Sequence, residues 1–482
     1  MRGDSNRRRQ FLRAILGTAA TVAVHRSSRA FPATLEIGGF QSATESLEDL
    51  FSGLKLYFGD LHGHTGYSDG YGTPAQFYEY GRDLRKLDFC AISDHAEWTN
   101  FFQSRLPMTD GSPVPLWANL VSELEARYSP GEFVTFPGFE WTSNEFGHRT
   151  VVFGRTNPLP VTPPSSYSHP TPEQLWAALE PYVAMTIPHH VTRWGTLMDW
   201  SHFNPMMDRL VEVYSKWGNG ASVWTSYEPP TKYVQYPFLR GQAAASGVDA
   251  ALALGHRIGI VAASDSHQGH PGSTAPDAEQ GTVLPTEEYP TTGEGFLDAL
   301  EQGYRYDYRE PLGGGGGLAA VWAPELTREA IWEGLHARRT FGTTGIRPVV
   351  KFGVRDGAAL SSGAAMGAEL TVVGAPVLYA SALPEPGSVV TQISLLKTND
   401  ALLTTANPAP GVAVSIQDDQ LAIGETACYR ALVLVSQQPA SNSDGDTILA
   451  YDRRTGQFRQ TSEPRLGEQV WTSPVWVTRV AP

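Results

Sequence analysis

Several short apolar runs in this chain end in histidine, aspartate or glutamate. They read "LKLYFGDLH", "LDFCAISDH", "EFVTFPGFE", "VAMTIPHH" and "RIGIVAASDSH". Between them lie segments such as "TPAQFYEYGRDLRK" and "TPEQLWAALEPYV", in which apolar residues recur at three- and four-residue spacing. Apolar strands that alternate with amphipathic helices favour an α/β fold, in which helices cover a parallel sheet that is either open or closed into a barrel.

The polar residues at the strand ends predict a metal site. Folds of this kind build their sites at the carboxyl ends of parallel strands. Residues i and i+2 of a strand project to the same face, so His62 and His64 can converge on one ion. Asp265 and His267 can do the same from a distant strand. Polar groups at buried strand ends need partners, which makes core filling a poor alternative.

The length and the charge limit the domain organisation and the partners. With 482 residues, the chain exceeds one small core. Helix patterns stop near residue 345, and later runs such as "VVKFGV" and "VTQISLLK" predict a smaller, all-β, sandwich-like domain over 346–482. The net charge of -14 argues against nucleic acid as a partner. A small anionic substrate stays compatible, because a bound metal reverses the local field.

The first thirty residues predict an export signal. "NRRRQFLRAILGTAATVAV" places Arg8 and Arg9 ahead of a moderately apolar stretch that is too short for stable membrane insertion. Small residues follow at 28–30, as a cleavage site requires. We therefore expect a twin-arginine signal peptide over 1–30, a linker over 31–54, and a product exported to the periplasm by the twin-arginine machinery. The alternative is a basic disordered tail.

The order of the polar motifs carries a family resemblance. "HGHTGYSDG", "ISDH", "PGFEWTS", "GHRTVVF", "IPHH" and "ASDSHQGHPG" follow one another along the chain. This set resembles the PHP (polymerase and histidinol phosphatase) superfamily over residues 55–345. "IPHH", "VEVYSKWG" and "REAIWEGLHARRT" are similar to an exported branch known as domain of unknown function 3604. The resemblance implies a distorted (β/α)7 barrel that holds two or three divalent ions (Mn, Zn or Fe) at its strand ends.

The resemblance also implies a ligand for each position that matches. It gives His62, His64, Glu140 and Asp265 for one ion, His148 and one of His189 and His190 for a second ion bridged by Glu140, and Asp69, His95 and His267 for a third. Adjacent residues of an extended strand face opposite ways, so we expect His190 to coordinate and His189 to support the site from behind. "SDG" around Asp69 is also a common turn.

Other polar residues are candidates for chemistry or substrate binding. Asp94, beside His95, is expected to orient an imidazole or to assist proton transfer. Arg149 and Arg193 are expected to bind an anion, because a guanidinium pairs with phosphate or carboxylate through two hydrogen bonds. Lys216 follows another strand run and His270 lies in a loop that could line the site. Arg149, Arg193 and Lys216 could each equally be an ordinary surface charge.

Two or more ions held by histidine and carboxylate would make a metal-bridging hydroxide available near neutral pH. That chemistry suits a phosphoesterase acting on a small anionic substrate, which is the leading hypothesis. The same ions polarise a carbonyl, so hydrolysis of an amide, ester or lactone is the alternative. The third hypothesis is a non-catalytic protein that binds metal or glycan.

Overall fold

The fold is known from a computed structural model that describes most of the chain after residue 46. The described residues are 47–193, 195–221, 245–273, 282–283, 290–302, 304–305, 316–398, 401–406, 412–437, 449–452, 457–460 and 465–482. The sequence predicted as a signal peptide, and most of the predicted linker, lie outside these ranges. Across the described residues, no helix combines the length and the apolar character needed to cross a membrane.

Threonine residues cap the start of several helices. The described α-helices are α1 (Pro74–Glu79), α2 (Ala96–Arg105), α3 (Leu116–Arg127), α4 (Pro172–Leu179), α5 (Val248–Ala253), α6 (Gly293–Glu301) and α7 (Arg328–His336). Thr73 and Thr171 cap α1 and α4, and each forms a reciprocal capping box with the glutamine three residues later. Proline at the first helical position has a backbone φ angle that already suits a helix. Its missing N–H costs no helix hydrogen bond at that position.

The strands are short and most of those before residue 345 are buried. They are β1 (Lys55–Asp60), β2 (Phe89–Ala91), β3 (Val134–Phe136), β4 (Gly138–Trp141), β5 (Arg149–Phe153), β6 (Ala184–Pro188), β7 (Leu210–Glu212), β8 (Tyr214–Ser215), β9 (Gly218–Asn219), β10 (Gly259–Val261), β11 (Thr282–Val283), β12 (Tyr304–Arg305), β13 (Leu318–Ala323), β14 (Thr340–Thr343), β15 (Val349–Asp356), β16 (Ala359–Ala365), β17 (Glu369–Val372), β18 (Pro376–Leu383), β19 (Ser388–Lys397), β20 (Ala401–Ala406), β21 (Val412–Gln417), β22 (Thr426–Gln437), β23 (Leu449–Asp452), β24 (Gln457–Gln460), β25 (Arg465–Thr472) and β26 (Val475–Arg479).

The strands that position the site fall into three groups. β1, β2 and β3 pair in parallel, and β7 pairs in parallel with β10. β4, β5 and β6 form an antiparallel sheet. Single bridges connect the groups, between Gly63 and Ser266, between His95 and Glu140, and between Thr186 and Asp208.

The expectation of a (β/α)7 barrel needs correction. In the described part of the chain no continuous closed barrel forms, and the fold is mixed α/β with one large sheet. The connection from β4 to β5 spans only residues 142–148. A connection this short makes a hairpin, because a parallel crossover needs a dozen or more residues. The antiparallel group therefore interrupts the parallel pattern expected from the sequence.

One sheet crosses the domain boundary predicted at residue 345. β13 pairs with β1 and β14, and β14 pairs with β25. Beyond β25, the sheet continues through β22 to β26 and β17, with β19 and β20 alongside. Strands assigned by sequence to the sandwich therefore extend the sheet that contains β1, and a separate C-terminal all-β domain is not confirmed. A second antiparallel sheet has the order β16, β15, β18, β21.

Apolar packing fixes the strands that carry the site. Phe89 of β2 and Phe136 of β3 belong to one buried cluster with Ile331 and Leu335 of α7. These side chains are almost fully excluded from solvent. Burial of these apolar side chains favours one arrangement of the strands. That arrangement fixes where the polar residues at the strand ends lie.

Candidate metal centre

The carboxyl ends of distant strands meet at one cluster of imidazoles and carboxylates. The nine side chains assigned as ligands by sequence come from the ends of β1, β2, β6 and β10, from β4, from the residue before β5, and from the loop that holds Asp69. Together with His189, they form groups of three or four that place ligand atoms close together: His62, His64 and Asp265; His62, Glu140 and His189; His148, His189 and His190; and His64, Asp69, His95 and His267.

His62, His64 and Asp265, together with one oxygen of Glu140, have the spacing of ligands around an ion. His62 Nε2 lies 3.3 Å from Glu140 Oε2 and 3.4 Å from Asp265 Oδ1. His64 Nε2 lies 3.4 Å and 3.3 Å from the same two oxygens. Neighbouring ligands at ~2.0–2.2 Å from a divalent ion are themselves about 3–3.5 Å apart. The four donor atoms therefore fit a shared cation.

The two oxygens of Glu140 face different histidines. While Oε2 faces His62 and His64, Oε1 lies 2.8 Å from His148 Nδ1 and 3.5 Å from His189 Nε2. Glu140 is 2% exposed, so this carboxylate is almost wholly removed from water. A carboxylate placed in this way can bridge two ions, as the resemblance implies.

A third group surrounds Asp69. Its Oδ2 lies 3.4 Å from His95 Nε2 and 3.4 Å from His267 Nε2. The preceding loop is held by Asp94, whose carboxylate accepts hydrogen bonds from Thr65 N at 2.8 Å, Thr65 Oγ1 at 2.6 Å and Ser68 Oγ at 2.6 Å. The turn around Asp69 thus carries a buried carboxylate that faces two imidazoles.

His189 and His190 do not face opposite ways. β6 ends at Pro188, and His190 has a φ of 33°, so the pair does not continue as extended strand. Their ring centroids lie 4.4 Å apart, and both rings belong to the group with His148. His189 also reaches Glu140 and His62, which gives it a position in the cluster rather than behind it. This corrects the geometry on which the preference for His190 rested.

Every imidazole of the cluster has a partner for its outward-facing nitrogen. The pairs are His62 Nδ1 with Glu212, His64 Nδ1 with Ser68, His95 Nδ1 with Thr142, His148 Nε2 with Asn144, His189 Nδ1 with Thr150, His190 Nδ1 with Thr196, and His267 Nδ1 with Lys216 and the Asp265 carbonyl. Metal-binding histidines are oriented in this way, with one nitrogen held and the other presented to the ion.

Several inward-facing atoms lack a hydrogen bond. Among the described residues, His64 Nε2, His148 Nδ1, His189 Nε2 and Asp265 Oδ1 are buried without a hydrogen-bond partner. Buried polar atoms without a partner are costly. Divalent cations in the neighbouring groups would satisfy these four atoms, so the residues present fit the group of ions that the resemblance implies.

The backbone is strained at two of these positions. Asp265 and His190 have φ values of 52° and 33°, in the left-handed region that residues other than glycine rarely adopt. Such strain costs about 1–3 kcal/mol and concentrates at functional sites. Here it turns two donor side chains toward the cluster.

Neighbouring charges in the cluster shift the pKa values of its buried groups. Burial alone would raise the pKa of Glu140, but His95, His189 and His148 outweigh it and hold that pKa well below the ordinary value. Burial would lower the pKa of His62, yet nearby carboxylates raise it well above its usual range. The pKa of Asp265 is likewise held well below its ordinary value, because His62, His64 and His267 outweigh the effect of burial.

A cavity of about 710 Å³ opens onto the cluster. Its walls include His95, Glu140 and Asp265 on the cluster side, and Arg193 and Trp217 opposite them in the lining. The Arg193 guanidinium lies 3.7 Å from the centre of the Trp217 ring. Arg193 is half-buried and lines this cavity, and its role in binding an anion stays a prediction.

The prediction for Arg149 is corrected by its burial. This side chain is fully buried on β5 and does not line the cavity. Its guanidinium donates to the carbonyls of Phe146, Gly147 and His202, and its Nε lies 3.4 Å from Asp208 Oδ1. Because neighbouring residues of a strand alternate, the face opposite His148 points into the core. Arg149 stabilises the fold.

Three further predicted residues lie around the cluster rather than in the cavity lining. Asp94 is committed to the loop that it holds, and it does not line the cavity. Lys216 is buried, with its Nζ 2.7 Å from His267 Nδ1, and therefore contacts a candidate ligand. His270 stacks on Tyr80 with ring centroids 4.2 Å apart, away from the cavity lining.

Two buried carboxylates were missed by sequence reasoning. Glu212, the last residue of β7, contacts His62 Nδ1 at 2.7 Å. Asp60 ends β1 and accepts backbone hydrogen bonds from His62, Ser264 and Gly272. Both were available as acidic residues at strand ends, the same signal that selected Glu140.

Together, the fold and the site define a mixed α/β protein with buried histidine–carboxylate groups that could hold divalent metal ions. The family described as "protein of unknown function (DUF3604)" matches residues 107–193 and 212–397, more than half of the chain. The chain belongs to this family.

A curated relative and several solved structures are similar to the chain. An uncharacterized protein of Chlamydia pneumoniae is 23% identical over 330 residues, which cover 68% of this chain and 44% of that protein. The similarity therefore spans less than half the length of this relative.

The solved structures match at low scores. A two-domain protein from Bacteroides vulgatus, described as containing a predicted PHP-like metal-dependent phosphoesterase, is 15% identical with a TM-score of 0.37, covering 79% of this chain and 91% of that one. PsfC from Pseudomonas syringae is 17% identical with a TM-score of 0.28, covering 45% and 78%. TM-scores of this size do not establish a shared overall fold.

Proposed function

We propose that this chain is a multinuclear metal-dependent hydrolase and that its substrate is a phosphate ester. The observation that carries this proposal is the convergence of ten imidazole and carboxylate side chains around one cavity, with each imidazole held through its other nitrogen. A site built only for stability would not bring so many ionisable groups together, because each of them loses its hydration on burial.

The proposed ligands follow the groups found in the structure. His62, His64, Asp265 and Glu140 would hold one ion, Glu140 with His148, His189 and His190 a second, and Asp69, His95 and His267 a third. When bound, such ions polarise a phosphoryl oxygen and lower the pKa of water toward neutrality. The mixture of imidazole and carboxylate suits Mn, Zn or Fe.

The chain's own residues would bind and orient the substrate. Arg193 would pair with a non-reacting anionic oxygen, and the Trp217 ring below its guanidinium restricts where that charge can lie. Glu140 would hold two neighbouring ions at a fixed separation through its two oxygens. Glu212 would orient His62, and Lys216 would contact His267 from behind.

We also propose that the chain is exported through the twin-arginine pathway. Arg8, Arg9 and the apolar stretch that follows support this proposal. A reporter fused to residues 1–54 should reach the periplasm, and changing both arginines to lysine should retain it in the cytoplasm. Export that is unaffected by the double change would contradict the proposal.

The function can be tested with protein loaded separately with Mn and Zn. A panel of phosphate monoesters and diesters, amides, esters and lactones would be offered, and phosphate or acid release measured. We expect phosphate release that is abolished by a chelator, restored by metal and lost in Glu140→Gln. Turnover of only the carbonyl substrates would identify the alternative hydrolase. No turnover, with ligand binding intact in His62→Ala, would identify a non-catalytic binding protein.

A further inference from the structure

A second cavity of about 590 Å³ adjoins the one at the metal centre. The two cavities share Glu97 and Tyr167 as walls. Phe101, Asn100 and the prolines at 163–164 also line the second cavity. The two cavities therefore lie side by side at Glu97 and Tyr167.

Glu97, a residue of the shared wall, has one carboxylate oxygen without a hydrogen-bond partner among the described residues. It is 7% exposed and lies on α2. Its Oε1 accepts hydrogen bonds from Ser166 N at 2.6 Å and Thr142 N at 3.4 Å. Its Oε2 is buried and has no hydrogen-bond partner among the described residues. A buried carboxylate oxygen without a donor is costly, and a donor from a ligand would remove that cost.

Asn100 presents a second unused acceptor, three residues later on α2. Its Nδ2 donates to the Pro163 carbonyl at 3.1 Å. Because a carbonyl can only accept, this bond fixes the orientation of the amide and points Oδ1 away from it. In the described part of the chain, Oδ1 is buried and has no hydrogen-bond partner. Both unused atoms are therefore acceptors.

Aromatic rings accompany these acceptors. Tyr167 is 83% exposed and Phe101 is 39% exposed, although both rings line the second cavity. Ring faces attract ammonium groups and pack against the C–H face of a polyol. Acceptors beside aromatic faces are thus suited to a ligand that carries hydrogen-bond donors on a carbon skeleton.

We propose that this second cavity, the donor subsite, binds the non-reacting end of the substrate, and that this end carries hydroxyl or ammonium donors. The link to a substrate rests on the proposed function of the metal centre. Thr142 connects the two places, because its N–H donates to Glu97 and its Oγ1 donates to Glu140 Oε1 at 3.1 Å. The substrate class is therefore a phosphate ester with a donor-bearing tail.

The donor subsite can be tested without metal. Saturation-transfer NMR titrations of metal-stripped protein would compare benzylamine, benzyl alcohol and toluene, which share one ring and differ in their donors. We expect at least one donor probe to bind about tenfold more tightly than toluene, the effect of one hydrogen bond to a buried charged acceptor. Equal binding of all three probes by the wild-type protein would overturn the proposal, and needs no variant.

Variants distinguish the two kinds of donor. Glu97→Gln keeps the Oε1 contacts and removes the charge. Benzylamine should therefore lose its higher affinity relative to toluene, and benzyl alcohol should keep its own. Asn100→Leu should reduce whichever gain depends on Oδ1. Glu329→Gln, an exposed carboxylate on α7, is the matched control. If Glu97→Gln and Asn100→Leu both leave the donor gain unchanged, as Glu329→Gln should, the proposal is overturned.

A second experiment separates the subsite from the metal centre. Mn-loaded protein would be titrated with alkyl phosphonates of two to six carbons and with their terminal amino and hydroxyl analogues. Tighter binding of an analogue at one chain length supports a single substrate spanning both cavities, and equal binding at every length overturns that link. If the benzyl donors bind but none of the phosphonates does, the phosphoesterase function fails and the donor subsite stands.

Discussion

His62 Nδ1 lies 2.7 Å from Glu212 Oε2, and both side chains are buried. Because a carboxylate accepts, this contact holds a proton on Nδ1, so that Nε2 is the nitrogen that would bind an ion. The Nε2 atom accordingly faces Glu140 and Asp265. Glu212, which the sequence analysis did not select as a site residue, thus orients a candidate ligand.

Replacing Glu212 should therefore weaken metal binding without removing a ligand. In Glu212→Gln the side chain keeps its shape, but the imidazole loses its charged acceptor. We expect the affinity for Zn or Mn to fall about 10- to 100-fold, measured by competition with a chromophoric chelator at fixed pH. Glu329→Gln should bind metal as the wild type does, and equal affinities in both variants would contradict the role given to Glu212.

The stability of the metal-free protein should depend on pH through His189. Burial and the neighbouring His62 lower the pKa of His189 to about 4, from an ordinary value of 6.5. Between those values the unfolded chain binds a proton that the folded chain does not, so stability is lost as pH falls from 6.5 toward 4.

Replacing His189 isolates this effect. From pH 7 to pH 5, wild-type protein should lose about 2 kcal/mol more unfolding free energy than His189→Gln. Urea unfolding of chelator-treated protein at both pH values measures the difference. If the two proteins lose stability in parallel, the imidazole is not held neutral as inferred.

The two arginines that sequence alone treats alike should behave differently. Arg193 lines the cavity, so Arg193→Ala should lower kcat/KM for a phosphate ester about 10- to 100-fold with little change in unfolding. Arg149 is buried beside Asp208, so Arg149→Met should leave that carboxylate unpaired and cost about 3–5 kcal/mol of stability. Kinetics and urea unfolding would be measured on both variants, so that each variant serves as the control for the other. A stable, inactive Arg149→Met would reverse the assignment.

Asp94 should act through the loop that it holds rather than in proton transfer. Asp94→Asn places an amide where Thr65 N, Thr65 Oγ1 and Ser68 Oγ now donate. We expect weaker binding of the ion at Asp69, seen as a lower metal stoichiometry at low free metal, with the shape of the pH–rate profile retained. Loss of one limb of that profile, with full metal content, would instead show a catalytic proton transfer.

Local patterns in the sequence were sufficient to locate most of the site. His62 with His64, and Asp265 with His267, are close in sequence, and the spacing of each pair alone brings both members to the same side of a strand end. Glu140 follows from the cost of burying an unpaired carboxylate among aromatic residues. The capped starts at Thr73 and Thr171 were likewise readable from two or three residues.

The remaining features depend on the tertiary structure. The direction in which Arg149 points depends on where β5 starts. Once that start is known, alternation from His148 places Arg149 on the core face. The left-handed backbone of His190, which brings both histidines of "IPHH" into the cluster, has no local sequence signal. The pairing of β14 with β25 joins segments that the sequence assigns to different domains, and only long-range packing determines it.

The central claim is that distant imidazoles and carboxylates together hold more than one divalent ion. Elemental analysis of protein incubated with Mn or Zn and then dialysed measures this directly. We expect at least two bound ions per chain in the wild type, with fewer in Glu140→Gln and an unchanged content in Glu329→Gln. Less than one ion per wild-type chain, under conditions in which the protein is folded, would contradict it.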